Sequence, residues 1–161
     1  YYREFQLTDA ATGRSLVRVT SVWGVLDMVK RRVIAIPDFI RDETAVYTDL
    51  EPLLPASGKL PPLVDPLFAE QFMARWHDLD ANRHVNNTRY FQWLIEALPA
   101  DFLDTHTMQQ LDVIFRAEAT LGEAIVSEAG PDVETESQFL HRLVNRDGQL
   151  LLQARTAWRC T

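Results

Sequence analysis

Residues Trp76 to Pro99 read W-H-D-L-D-A-N-R-H-V-N-N-T-R-Y-F-Q-W-L-I-E-A-L-P. The stretch passes from a polar, hydrogen-bonding loop straight into an apolar segment, and this junction decides the fold. Asp78, Asp80, Asn82 and His84 stand at every second position, and Asn86 and Asn87 follow as suitable N-cap residues for the next element. From Thr88 the period becomes helical. Tyr90, Trp93, Leu94, Ala97 and Leu98 share one face, Phe91 and Ile95 flank it, and Pro99 stops it. A helix apolar almost all round is expected to be buried.

Strand patterns flank this junction. Upstream, Ala69 to Trp76 alternates, with Phe72, Ala74 and Trp76 against Gln71, Met73 and Arg75, so a strand delivers the loop. Downstream, Gln110 to Thr120 alternates: Leu111, Val113, Phe115, Ala117 and Ala119 face one way, Asp112, Ile114, Arg116, Glu118 and Thr120 the other. Glu123 to Glu128 reads as a further strand, and Gln138 to Val144 pairs with Gln149 to Arg159 around Asn145-Arg-Asp-Gly148, a hairpin signal. Periodicity alone thus defines an α+β domain.

At the front, Tyr2 to Leu7 and Ser15 to Val29 read as strands joined through Asp9 to Gly13, and Val17, Val19, Trp23 and Val25 share a parity that predicts one buried face. Between Arg41 and Leu67 no period survives. Six of the eight prolines lie from Pro37 to Pro66, and Leu60-Pro-Pro-Leu-Val-Asp-Pro reads as a stiff, extended connector.

Composition narrows the classes. At 161 residues the chain suits one well-buried domain, and 47% hydrophobic with 24% charged residues predicts a soluble globular protein. No apolar run reaches the ~18 residues of a membrane span, and the first residues lack a signal peptide's pattern, so a cytoplasmic setting without membrane association is expected. The formal net charge of -7 argues against nucleic acid as a partner. The single cysteine, Cys160, forms no internal disulfide, and nothing around it lowers a thiol's pKa. Asp78-x-Asp80-x-Asn82 opens like a calcium loop, but arginines (Arg83, Arg89) stand where glycine and glutamate are required. His77, His84, His106 and His141 have no zinc-type spacing, so no metal is expected.

Asp80-x-Asn82-x-His84-Val85-Asn86-Asn87-x-x-Tyr90-x-x-Trp93, followed by Glu96 and Pro99, closely resembles the motif of the acyl-ACP thioesterases; broader hotdog-fold thioesterases share part of it. Thr20-Ser21-x-Trp23, the basic run Lys30-Arg31-Arg32 and Ile36-Pro37 look like that family's region between its two hotdog domains. Asp104-Thr105-His106 and Phe115-Arg116-Ala117-Glu118 resemble the segment bearing its catalytic glutamate. The resemblance implies a hotdog fold, an antiparallel sheet wrapped around a long central helix, within a partial tandem of two such domains. Residues 1–42 would be the closing strands of an incomplete N-terminal hotdog domain, 43–67 a proline-rich linker, and 68–161 the C-terminal hotdog domain.

Carried over by position, the resemblance makes Asp80, Asn82, His84 and Glu118 the catalytic set. Asp80 would be the attacking carboxylate or the base for water, Asn82 would orient it or the thioester, and His84 would transfer protons. Glu118 would orient His84 or place the hydrolytic water. Asn86, Asn87, Tyr90 and Trp93 are the expected substrate contacts, and Lys30, Arg31 and Arg32 the expected dock for acyl carrier protein. Thioester hydrolysis also needs an oxyanion site, which a helix N-terminus supplies through free N–H groups. Many plant members carry a cysteine after the glutamate. Ala119 stands there, which excludes a Cys–His mechanism at this point.

Each assignment has a plainer alternative. His84 would serve as a packing or capping histidine, Asp78 as a structural carboxylate, Glu118 as an exposed strand residue beside an arginine, and the basic run as a solvated face. At the level of the protein the alternatives are an acyl-CoA thioesterase, a hotdog dehydratase or hydratase, and a non-catalytic remnant. Two chains pairing their sheets as a homodimer would rebuild the double hotdog.

Overall fold

The computed structural model describes residues 1–27, 29–30, 32–47, 52–55, 58–133, 135 and 137–161. The chain forms two compact units, residues 1–57 and 58–161.

In the first unit β1 (Tyr2–Thr8) and β2 (Ser15–Val22) form an antiparallel hairpin. Its turn is built by Asp9, whose carboxylate accepts the Thr12 and Ala11 N–H groups at 2.8 and 2.9 Å, while Gly13 takes a φ of 71°. These bonds hold the Asp9 carboxyl below its ordinary pKa. The second strand ends earlier than its pattern predicts. Pairing with β1 finishes at Tyr2↔Val22, and the chain starts a new hairpin of β3 (Val25–Asp27) and β4 (Arg32–Ile34). The face expected to be buried is open, with Val17, Val19 and Trp23 at 50, 42 and 45% exposure, because the hairpin brings no second layer to cover it. The region read as without period holds a short helix, α1 (Asp38–Thr44), and a 3₁₀ turn over Ala45–Tyr47.

The second unit is one antiparallel sheet in the order β5-β7-β8-β9-β6, made by β5 (Phe68–Met73), β6 (His106–Phe115), β7 (Ala124–Pro131), β8 (Gln138–Asn145) and β9 (Leu150–Cys160). Against it pack α2 (Asn87–Glu96) and the short α3 (Ala100–Thr105). Tyr90, Trp93 and Leu94 of α2 join Ala74, Ala119, Ile125, Leu143, Leu152 and Ala154 in the main core. A second cluster unites Leu98, Ala129 and Trp158. Leu94 is fully buried, and truncating such a residue to alanine costs roughly 2–5 kcal/mol. The helix is not buried all round. Gln92 and Glu96 are exposed, so it presents one apolar face to the sheet and one polar face outward.

Two strand readings need correction. β5 ends at Met73, and Trp76 enters a 3₁₀ turn (Trp76–Asp78) where it is 65% exposed. β6 ends at Phe115, so Glu118 lies in the following loop and not on a strand. The hairpin at Asn145 forms as predicted: the Asn145 carboxamide oxygen accepts the Asp147 and Gln149 N–H groups, and Gly148 takes a φ of 77°. Residues 60 and 63 of the proline-rich stretch are buried leucines. There the backbone passes so close to β7 that a Cβ on Gly130 would stand 2.9 Å from the Asp65 carbonyl oxygen.

Candidate active site

The alternating polar residues before α2 are the parts of a tight turn. The Asp80 N–H donates to the His84 carbonyl at 2.8 Å, and the Arg83 N–H to the Asp80 carbonyl at 3.1 Å. Arg83 sits at a φ of 67°, the left-handed conformation such a three-residue loop requires. Asp80 Oδ1 accepts the N–H groups of Asn82 and His84 at 2.8 and 3.2 Å, the pattern by which an aspartate stabilises its own turn. Asp78 braces the base of the loop. Its carboxylate accepts the Arg75 N–H and pairs with Arg89 Nε at 3.3 Å, and its carbonyl accepts the Asn86 N–H.

The returning arm of this turn meets the loop that follows β6. His84 and Thr120 form an isolated antiparallel bridge, and the Val85 N–H donates to the Ala119 carbonyl at 2.8 Å. This pairing brings His84 Nε2 to 3.5 Å from Glu118 Oε2, with side chains 34 and 60% exposed. Even with the imidazole charged, a pair this open adds only ~0–1 kcal/mol to stability, so its placement is not explained by the energy of the fold. An open depression of about 340 Å³ lies beside Asp80, with Trp76, His77 and Arg83 in its lining. A broader one of about 780 Å³ holds Glu118, Met73, Glu123 and Arg146.

The other expected site residues fall in different places. Asn82 is exposed, and its carboxamide makes no hydrogen bond among the described residues. Asn86 is the helix cap: its side chain accepts the Thr88 N–H at 3.0 Å and its carbonyl the Arg89 N–H at 2.9 Å. Two of the first-turn amides expected to be free for an oxyanion are therefore already bonded. Asn87 is exposed at the start of the helix. Tyr90 and Trp93, expected at the substrate, are 2 and 7% exposed and belong to the core, where Trp93 stacks on Phe72. The Tyr90 hydroxyl accepts the Ala119 N–H at 2.9 Å, and burial raises its pKa.

Lys30 and Arg32 are exposed on the first unit, and Arg31 lies outside the described residues. Arg41, the fourth cation near that run, is paired with Asp38. Cys160 is free and exposed. Among the described residues no three histidine, cysteine or acidic side chains cluster as metal ligands. Sequence reading missed His141, buried at 2% in the sheet, with Nε2 2.8 Å from Thr156 Oγ1 and Nδ1 unpartnered among the described residues. Burial lowers its pKa to about 4. A histidine at an inward position of a strand was the available signal.

A helix laid against an antiparallel sheet, with polar loops meeting at one end, is the hotdog arrangement. Within that class the chain belongs to the acyl-ACP thioesterase family, since the family model for the acyl-ACP thioesterase C-terminal domain matches residues 64–160. It is 32% identical over 165 residues to the chloroplastic palmitoyl-acyl carrier protein thioesterase of Cuphea hookeriana, covering 98% of this chain and 40% of that protein. Over 184 residues it is 32% identical to the chloroplastic oleoyl-acyl carrier protein thioesterase 1 of Arabidopsis thaliana, covering 98% and 50%. The solved 12:0-ACP thioesterase from Umbellularia californica aligns with a TM-score of 0.88 at 28% identity, over 99% of this chain and 62% of that one. The chain thus spans 40–50% of the length of these two curated relatives.

Proposed function

We propose that this chain hydrolyses fatty acyl thioesters presented on acyl carrier protein, releasing a free fatty acid and the carrier thiol. The observation that carries this reading is the approach of His84 to Glu118 across two loops tied backbone to backbone. With His84 Nε2–H turned to Glu118, the opposite ring nitrogen, Nδ1, takes a proton from water as the water oxygen attacks the thioester carbonyl carbon. When the C–S bond breaks, the same imidazole returns that proton to the leaving thiolate. Glu118 orients the ring and balances its transient positive charge. The unbonded Asn82 carboxamide is the donor that meets the developing oxyanion.

Asp80 serves this scheme through its turn. One carboxylate oxygen already holds the Asn82 and His84 amides, so attack by Asp80 itself would fall to Oδ2. Asn87, exposed where α2 begins, is the remaining direct substrate contact. Lys30 and Arg32 offer positive charge to an acidic carrier on a protein of net charge -7.

In domain terms, residues 1–42 close an N-terminal hotdog, 43–67 link, and 68–161 carry the chemistry. The outer edges of β5 and β6 accept no further strand among the described residues. Pairing there with a second copy would build the wider sheet of a homodimer, which a solution mass of one chain would disprove. No described helix is long and apolar enough to cross a membrane. The reading places the protein where fatty acids are made, the cytoplasm or a plastid stroma.

The test is thiol release by the 161-residue chain from one medium-length acyl group carried on acyl carrier protein and, separately, on coenzyme A. Faster turnover on the carrier protein, lost in Glu118→Gln, is expected. Preference for coenzyme A would move the protein to the broader hotdog thioesterases. A folded protein silent on both would favour the non-catalytic alternative.

A further inference from the structure

We propose that Tyr90 is a positioning residue for Glu118, its phenol oxygen fixing the peptide that sets how the carboxylate faces His84. The inference rests on the reading of Glu118 and His84 as partners in the reaction. Glu118 stands on a loop of irregular backbone between β6 and β7, exposed itself but followed by Ala119, which is fully buried. A buried residue needs both its backbone polar groups satisfied. The Ala119 carbonyl is taken by the Val85 N–H at 2.8 Å, immediately after His84 in the chain. The Ala119 N–H points the other way, into the core, where no backbone carbonyl receives it among the described residues. Its acceptor is Tyr90 Oη at 2.9 Å, on α2.

The residue that follows Glu118 is therefore held from two sides, through its N–H and through its carbonyl. One tie comes from the arm bearing His84 and the other from the central helix. The rest of the Tyr90 side chain has an ordinary packing role, edge-on to Trp93 and to Phe115 at ring separations of 5.8 and 6.0 Å. A phenylalanine would fill the same space and keep both ring contacts. Among the described residues, the hydroxyl adds the bond to the Glu118–Ala119 segment. Burial keeps that phenol protonated and neutral, so the tie persists across the pH range of the reaction.

The consequence is chemical. His84 and Glu118 are 3.5 Å apart, at the outer limit of hydrogen bonding, and a displacement of about 1 Å at a reacting group can cost on the order of 10²-fold in rate. Releasing the Ala119 amide removes the tie between the loop that carries Glu118 and the central helix.

Tyr90→Phe is the direct test, read by kinetics and by amide hydrogen exchange. The expected result is a kcat lowered ~10-fold or more with KM within about twofold, and exchange at Ala119 faster by ~10-fold, while the amides of Leu94 and Leu152 keep their protection. In a Glu118→Gln background the same change should cost less than about threefold, because no carboxylate remains to be placed. An equal loss in both backgrounds would make the phenol a general structural residue and overturn the inference. Glu118→Gln that lowers turnover alongside a Tyr90→Phe that does not would overturn it alone. Glu118→Gln at wild-type turnover would overturn the functional reading and this one with it. Should Tyr90→Phe loosen the core, ring-fluorinated tyrosine at position 90 weakens the acceptor without changing shape. A kcat that falls with acceptor strength at constant melting temperature supports the role, and an unmoved kcat removes it.

Discussion

His84 and His141 carry the same imidazole in opposite settings. His84 stands at the rim, its side chain 34% exposed, with a carboxylate 3.5 Å away and its own N–H held by the Asp80 turn. His141 lies in the middle of the sheet at 2% exposure, with a threonine hydroxyl on one nitrogen and no partner on the other among the described residues. The rim histidine reaches both water and a negative charge. The buried one has neither, and burial pushes its pKa down to about 4. The contrast extends to the surroundings. At the rim, polar side chains hold short loops through single hydrogen bonds; inside the sheet, close packing does the holding. Activity should therefore depend on the first region and stability on the second.

The sharpest way to break this division is His84→Ala, expected to lower turnover by ~10²–10⁴ with little change in melting temperature. Turnover within about twofold of wild type would remove His84 from the reaction and dissolve the contrast. The next effect belongs to His141. Its folded-state pKa is depressed from 6.5 to about 4, so its neutral form costs nothing above pH 6.5 in either state. As pH falls below that value the unfolded chain binds a proton the folded chain refuses, and stability declines until both are protonated near pH 4. The loss from this one group is roughly 3 kcal/mol. Urea unfolding at pH 7.5 and at pH 4 should show this difference, and His141→Gln should remove that share of it. An unchanged pH dependence in the variant would show that His141 is not the titrating group.

Smaller effects sharpen the same line. Gly130→Ala would drive a Cβ to 2.9 Å from the Asp65 carbonyl oxygen and 3.0 Å from Leu63 Cδ1. The expected cost is about 1–3 kcal/mol in denaturant unfolding, with turnover per folded molecule unchanged. At the rim, Asn86→Ala removes the side chain that caps α2 and should cost about 1 kcal/mol. A fall in turnover well beyond the fraction unfolded would instead give Asn86 the substrate contact that its motif position suggests.

Much of the fold was legible because its signals are local. The Asn86 cap, the Asp9 and Asn145 turns and the alternation of Leu111 with Val113 each depend on residues a few positions apart. Errors arose where a local pattern ran past its partner. The alternation of β2 runs on to Val29, yet its pairing with β1 ends at Val22; that of β6 runs on to Thr120, yet the strand ends at Phe115. Alternation continues in sequence whether or not a neighbouring strand is there to receive it. The same limit placed Tyr90 and Trp93 at the substrate, since an aromatic in a motif looks alike whether it lines a site or fills a core. The motif from Asp80 to Trp93 carried the family and the segment from Phe115 to Glu118 named the glutamate, but the distance between Glu118 and His84 was in neither.

By itself, the sequence determined the polar loop that presents His84, the helix behind it, the hairpin at Asn145 and the family to which the chain belongs. Those features follow from backbone preferences and side-chain bonds spanning a few residues. Only the tertiary structure decided that Glu118 meets His84, that the Tyr90 hydroxyl holds Ala119 from 29 residues away, and that His141 is sealed from water. Each of these depends on which segments the sheet brings together, and the low dielectric and close packing that give them their chemistry exist only once the chain has closed on itself.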